Sequence, residues 1–360
     1  MKKQILAAAV AGAFAVPALA AADSSVTLFG TMQTQAVYHD AEDLVGDDFE
    51  DGFKMHDAGG IGAPTDGANP NRIGVRVAHD LGGGLTGLAK IEQNVTSTDG
   101  FDSGARDVYV GLGTDFGTFM GGRMASPYST AGKDPLNATF MQARTNGGRL
   151  APLNGFGNGS YLDRVVAYTN DFGPVGFTGA LVMDNTDDSN IGFAGRLSFD
   201  AGPAEIYGAY QQADEHEQAQ AAFGGMGVDA GLSNVVIEDV HTAKIGVDWS
   251  DGPFRVVAEI EDYNVEASAD QGSGDLADGN TFFLSGTYTM GRNDFVLNLG
   301  FTDEDSDVAE YEQLYVAAAV KHNFSNRVMA YGGLAYTDVD PEGASSEDAF
   351  AVGGGMRVSF

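Results

Sequence analysis

The chain has 360 residues, no cysteine, and 51 acidic side chains against 19 lysines and arginines, for a formal net charge of −32. That acidity excludes a nucleic-acid binder, which needs a basic footprint, and the lack of cysteine excludes disulfide stapling. Aromatics at 10 %, set among Val, Leu and Ile in ordered alternation, exclude intrinsic disorder.

Residues 1–22, "MKKQILAAAVAGAFAVPALAAA", open with two lysines, continue through an alanine-rich apolar stretch and end in small residues. That is the layout of a secretory signal peptide. Cleavage after Ala20 or Ala22 fits, and Ala22 is preferred, which leaves 23–360 as one exported unit. No later stretch approaches 18 consecutive apolar residues, so no transmembrane helix is expected.

From there on, period-2 segments dominate and helical periodicity is almost absent. "SVTLFGTMQTQAVY", "NRIGVRVAHDL", "DRVVAYTND", "FVLNLGFTD" and "QLYVAAAVKHNF" all read as strands. Many exceed the five or six residues usual in soluble sheets and match the roughly nine to eleven needed to cross a bilayer at a tilt. The connections alternate in kind. Seven are short and rich in Gly, Asp or Asn: "DLGGGLTG", "TDFGTF", "NDFGPVGF", "FDAGPAEI", "WSDGPFRV", "MGRNDF" and "HNFSNR". Between them lie longer polar stretches, notably 39–70, 124–161, 213–239 and 264–278. Seven turns interleaved with eight loops require sixteen strands.

A sheet spanning lipid must satisfy every backbone group internally and therefore close on itself, with short turns at one rim and long loops at the other. The alternation fits a water-filled cylinder. Ile73, Val75 and Val77 share one face while Arg72, Gly74 and Arg76 share the other; Lys90 and Glu92 oppose Ala89, Ile91 and Val95. Arg106 breaks the rule, since it shares parity with Val108, Val110 and Leu112. The chain ends in "GMRVSF", with Met356, Val358 and Phe360 opposing Arg357 and Ser359. A closing strand that runs to the last residue explains an aromatic terminus at the membrane interface. A large exported soluble β protein remains the other fold reading.

These segments resemble the general trimeric porins of Gram-negative outer membranes. "SSVTLFG" resembles the family's opening strand, "NRIGVRV" its second, "ARDVYVGLGTDFGTFMGGR" its fourth and fifth, "YLDRVVAYTNDFGPVGF" its sixth, and "GMRVSF" its closing strand. The resemblance implies an all-β fold, a 16-stranded antiparallel transmembrane β-barrel with short periplasmic turns, long extracellular loops and a third loop folded into the lumen. It implies a homotrimer in outer-membrane lipid and lipopolysaccharide, without a cofactor, passing small hydrophilic solutes and ions by diffusion. It further implies that wall residues Arg72, Arg106 and Arg164, with Arg76 and Lys90 added from strand parity, face the third loop across a constriction, and that the barrel-assembly machinery reads Phe360.

One departure concerns the third loop. Some members place several carboxylates there, but 124–161 holds Lys133, Arg144 and Arg149 against Asp134 alone. The first loop, 39–70, carries nine acids, which is the character of an exterior surface. Acidic outer loops attract cations, whereas basic residues at a narrowing favour anions. The arginines could instead only pair with lumenal acids such as Glu92 and Asp107.

Enzymatic and metal readings find little support. "GMGVDA" at 225–230 fits a dinucleotide fingerprint but lacks a βαβ unit. "DEDSDVAEYEQL" starts like a calcium loop, yet Val308 stands where Gly is needed and Leu314 where Glu is needed. The six histidines show no metal spacing. A channel selective for a particular sugar or anion, and an exported β protein with no pore, stand as alternatives to a general diffusion channel.

Overall fold

The computed structural model describes residues 24–41, 44, 49–66, 70–98, 100–153, 155–186 and 190–360; the expected signal peptide lies outside them. Sixteen long strands form the wall: β1 (Ser24–Asp40), β2 (Arg72–Gly82), β3 (Leu85–Thr96), β4 (Gly100–Thr114), β5 (Gly117–Ala125), β6 (Tyr161–Phe172), β7 (Val175–Met183) and β8 (Ile191–Ala201), followed by β9 (Ala204–Asp214), β10 (Val236–Asp251), β11 (Phe254–Ala269), β12 (Gly272–Met290), β13 (Asn293–Asp305), β14 (Glu310–Ser325), β15 (Val328–Pro341) and β16 (Glu347–Ser359). Each pairs antiparallel with its sequence neighbour, and β1 pairs with β16 from Thr31↔Ser359 to Asp40↔Phe350, which closes the barrel. The terminal residue completes that seam. Gly30 and Phe360 exchange two backbone hydrogen bonds of 3.0 Å, and a side chain on Gly30 would collide with the Phe360 ring.

The wall is inverted relative to a soluble sheet. On β13, Phe295, Leu297, Leu299 and Phe301 are exposed while Val296, Asn298, Gly300 and Thr302 are buried. On β11, Ile260 is 52 % exposed while Glu259 and Glu261 are each 1 % exposed. Apolar outside and carboxylate inside is stable only where hydrocarbon surrounds the barrel and polar groups meet in its interior.

All seven expected tight turns are two-residue connections on one rim. Three are Gly-Pro, with Gly173, Gly202 and Gly252 at φ of 66°, 69° and 56°, the backbone that a twisted two-residue hairpin demands and that glycine supplies without strain. The proline carbonyls then accept N–H groups from neighbouring hairpins: Asp200 to Pro174 (2.9 Å), Ser250 to Pro203 (2.8 Å) and Thr289 to Pro253 (2.8 Å).

The opposite rim departs from expectation in three places. The 264–278 stretch is not an open loop, because β11 and β12 run on as a ladder to Ala269↔Gly272; polar alternation continues where strands leave the membrane. Within 213–239 lies a helix, Glu217–Asp229, whose N-cap His216 accepts the Gln218 N–H (3.1 Å) and which buries Ala219, Phe223 and Gly227 at i, i+4 and i+8. "GMGVDA" sits at the end of this helix, which disposes of the dinucleotide match. Part of the acidic first loop also turns inward. The short strand Gly52–His56 pairs with Gln35–His39 of β1, and β2 pairs with Ser24–Thr31 of the same strand. Between them the chain leaves the wall, and Asp57–Gly62 are buried.

Candidate functional site

The third loop leaves β5 at Ser126 and returns to β6 at Tyr161, crossing the lumen in between. It begins with a short helix, Pro127–Ala131, capped by Ser126 Oγ on the Ser129 N–H (2.9 Å). Its tip buries Leu136, Phe140, Met141 and Ala143 against Val37, Tyr315, Tyr331, Ala335 and Ala351 of the wall. Lys321 of β14 donates to the Pro135 carbonyl (3.1 Å), and Arg357 of β16 donates to Ala138 O (2.8 Å) and Gln33 Oε1 (2.7 Å). At Gly148 the loop backbone lies directly on Gly300 of β13, with no room for a side chain on Gly300.

The return arm is fixed by a buried ionic knot. Glu261 accepts from Tyr128 Oη (2.8 Å), Leu150 N (2.7 Å), Asn158 Nδ2 (2.8 Å), Thr281 Oγ1 (3.0 Å) and Lys244 Nζ (2.7 Å). Glu259 accepts from Arg149 Nε (2.6 Å) and Tyr207 Oη (2.8 Å). Lys244 also lies 3.9 Å above the Tyr128 ring. Two cations against two carboxylates leave this knot neutral, and buried charges hold only when paired and hydrogen-bonded in this way. Sequence reading named Arg149 alone. Alternation turns Lys244, Glu259 and Glu261 inward, but nothing local links them to a loop a hundred residues upstream.

With these anchors the loop covers the wall from β8 round to β1 and leaves β2–β4 facing it. There Glu92 receives Arg106 Nε (2.6 Å), Lys90 Nζ (2.7 Å) and Arg72 Nε (3.2 Å), and Lys90 also pairs with Asp107. Arg106 turns inward because of a β-bulge: the β3–β4 register shifts between Ile91↔Val108 and Gln93↔Ala105, setting two residues opposite Glu92. This resolves its anomalous parity. Arg76 is exposed and stacks over Phe29 (5.1 Å).

The remaining candidates divide. Arg144 is buried in the loop and forms no ion pair among the described residues; burial, then the neighbouring Arg149, lowers its pKa to about 10, so it stays cationic at neutral pH. Asp134 is spent on the loop's own backbone, accepting Leu136 N (2.8 Å) and Ala143 N (2.8 Å), and on the wall, accepting Asn298 Nδ2 of β13 (2.8 Å). Lys133 reaches Glu205 (2.7 Å), shared with Arg196 (2.9 Å). Arg164 is not drawn into the Glu92 cluster. It takes a φ of 54° at a β6 bulge, pairs with Glu217 of the Glu217–Asp229 helix and donates to Met183 O (3.2 Å). Arg123 comes nearer, 5.5 Å from the Tyr161 ring that Arg106 flanks from 5.1 Å, and pairs with Asp163 (2.6 Å).

A closed sixteen-stranded barrel, greasy outside and charged inside, with one loop strapped across its lumen, defines an integral outer-membrane channel for passive diffusion. The sequence profile of the Gram-negative porins matches residues 7–342, and the chain belongs to that family. It is 28 % identical, over 98 % of its length and 95 % of the relative's, to outer membrane porin protein 32 of Delftia acidovorans. It is 32 % identical over 42 % of its length, and 41 % of the relative's, to an outer membrane porin protein of Bordetella pertussis (strain Tohama I). Among solved structures, the anion-selective porin from Comamonas acidovorans superposes with a TM-score of 0.71 at 22 % identity, over 94 % of this chain and 100 % of that one. In vitro folded OmpT of Vibrio cholerae, in a trimer form, gives 0.65 at 13 % over 94 % and 100 %. At those identities the likeness is one of fold.

Proposed function

We propose that solutes pass between the third loop and the β2–β4 wall, that this gap favours anions, and that the working unit is a homotrimer. The observation that carries the preference is a surplus of cations. Arg72, Lys90 and Arg106 share two carboxylates, while Arg76 and Arg144 have no carboxylate partner among the described residues. Positive charge at a narrowing acts on the ion directly. The acidic exterior works against it by concentrating cations, but over only about 8 Å at physiological salt. An anion-selective porin and a trimeric one among the fold neighbours support the reading.

A channel dedicated to one sugar would need an aromatic track on the open side. Tyr128, Phe140 and Phe156 are instead buried, and Tyr161 is held between two arginines. Phe360, seated on Gly30 at the seam, is in place to serve as the assembly signal. Reversal potentials across planar bilayers in a potassium chloride gradient test the selectivity. Anion preference that strengthens as salt is raised supports it; cation preference at every ionic strength contradicts it.

A further inference from the structure

His39 of β1 and His56 of the short strand Gly52–His56 are 0 % and 2 % exposed, with their Nε2 atoms 3.2 Å apart. One neutral arrangement satisfies the Nε2–Nε2 contact together with the Gly62 and Ala58 bonds, with Gln35 Nε2, 3.2 Å from His56 Nδ1, donating to the Ala58 carbonyl (3.3 Å). The Gly62 N–H donates to His39 Nδ1 (3.3 Å), which puts the His39 proton on Nε2, directed at His56 Nε2. The His56 proton then sits on Nδ1 and faces the Ala58 carbonyl. Every ring nitrogen is thereby committed. A second proton on His39 would oppose the Gly62 N–H, and one on His56 would oppose His39 Nε2–H.

What this pair holds is the inward part of the first loop. Ile61 N donates to Asn146 Oδ1 (2.8 Å), and Gly59 O accepts from Gln142 Nε2 (3.2 Å) and Thr145 Oγ1 (3.1 Å). The excursion therefore braces the turn that carries Arg144. Gln33 Nε2 donates to Asp57 O (2.6 Å) and Asn71 Nδ2 to Asp57 Oδ2 (2.8 Å). Of the charged groups nearby, Lys54 opposes a proton on His39 and Asp66 favours one on His56. Asp51 accepts the Ala41 N–H (2.8 Å), the Phe49 ring packs on His39, and the β16 residue opposite His39 is Ala351.

We propose that the His39–His56 pair is a proton-operated clip, which in its neutral form holds residues 57–62 in the lumen against the third loop and on protonation releases them. Exposed histidine takes up a proton near pH 6.5, whereas the docked pair has no site for one. Docking is therefore fully stable above that value and weakens as pH falls below it. Release empties part of the lumen, so conductance rises with acid.

Amide hydrogen exchange of the 57–62 segment, corrected for the intrinsic pH dependence, tests this on the whole protein in detergent at about pH 7.5 and about pH 5. Protection is expected to fall about tenfold or more on acidification, with discrete upward conductance steps over the same range. A double variant, His39→Leu with His56→Leu, should show no acid response whichever way its loop rests. Unchanged protection in the wild type at the lower pH overturns the proposal, as does an acid response that persists in the double variant. The exchange arm does not rely on the channel reading: a silent bilayer would count against that reading and leave exchange to decide the clip.

Discussion

Glu261 shows what one side chain does for the pore. Five donors converge on it, two of them from the return arm of the third loop. Replacing it by Gln keeps the shape but leaves Lys244 and Arg149 to share the single buried charge of Glu259. Removing one partner of a buried pair costs about 3–5 kcal/mol, so Glu261→Gln should lower the melting temperature and raise open-channel current noise as the arm loosens; an unchanged melting temperature would show the knot to be dispensable. Arg72, Lys90 and Glu92 were legible as lumenal because their strands alternate without interruption. Alternation could not place Arg106, since a bulge reverses the phase and nothing in "ARDVYVGLG" marks one, and only the family resemblance set it on the wall. Arg164, set on the wall by the family resemblance, pairs with Glu217 of a helix that arrives from fifty residues downstream, which a resemblance carried over strand by strand does not register.

At the scale of elements, the strands and turns were readable because lipid imposes a period of two and the Gly-Pro steps fix the hairpins. The inward stretch of the first loop was harder. Its nine acids read as an exterior surface, while the run "AGGIG" at 58–62, without a charge, is what could have marked a buried segment. The Glu217–Asp229 helix buries one narrow stripe of Ala219, Phe223 and Gly227, too sparse to stand out from the alternating background. Two tests belong here. Gly300→Leu should push Gly148 off β13 toward the pore axis and reduce single-channel conductance; conductance at the wild-type level would mean that the loop does not rest on that wall. Deleting Phe360 removes both hydrogen bonds to Gly30 and the ring at the seam. The yield of heat-modifiable folded barrel on gels should fall, and an undiminished yield would show closure to be independent of the last residue.

For the whole molecule, two fields of opposite sign are, on the proposed reading, set against each other. The chain carries −32 overall, yet the face between the third loop and β2–β4 keeps more cations than carboxylates. Replacing Arg144 with Gln should shift the reversal potential toward cations without altering the barrel, since Arg144 forms no ion pair with the wall among the described residues; no shift would remove this residue from the selectivity account. All of these consequences presuppose a sealed cylinder with water along its axis. Single-channel recording of the purified protein in a planar bilayer tests that most directly: the account predicts discrete, ohmic conductance steps that scale with bulk salt, and a bilayer that stays electrically silent as folded barrels insert would contradict it.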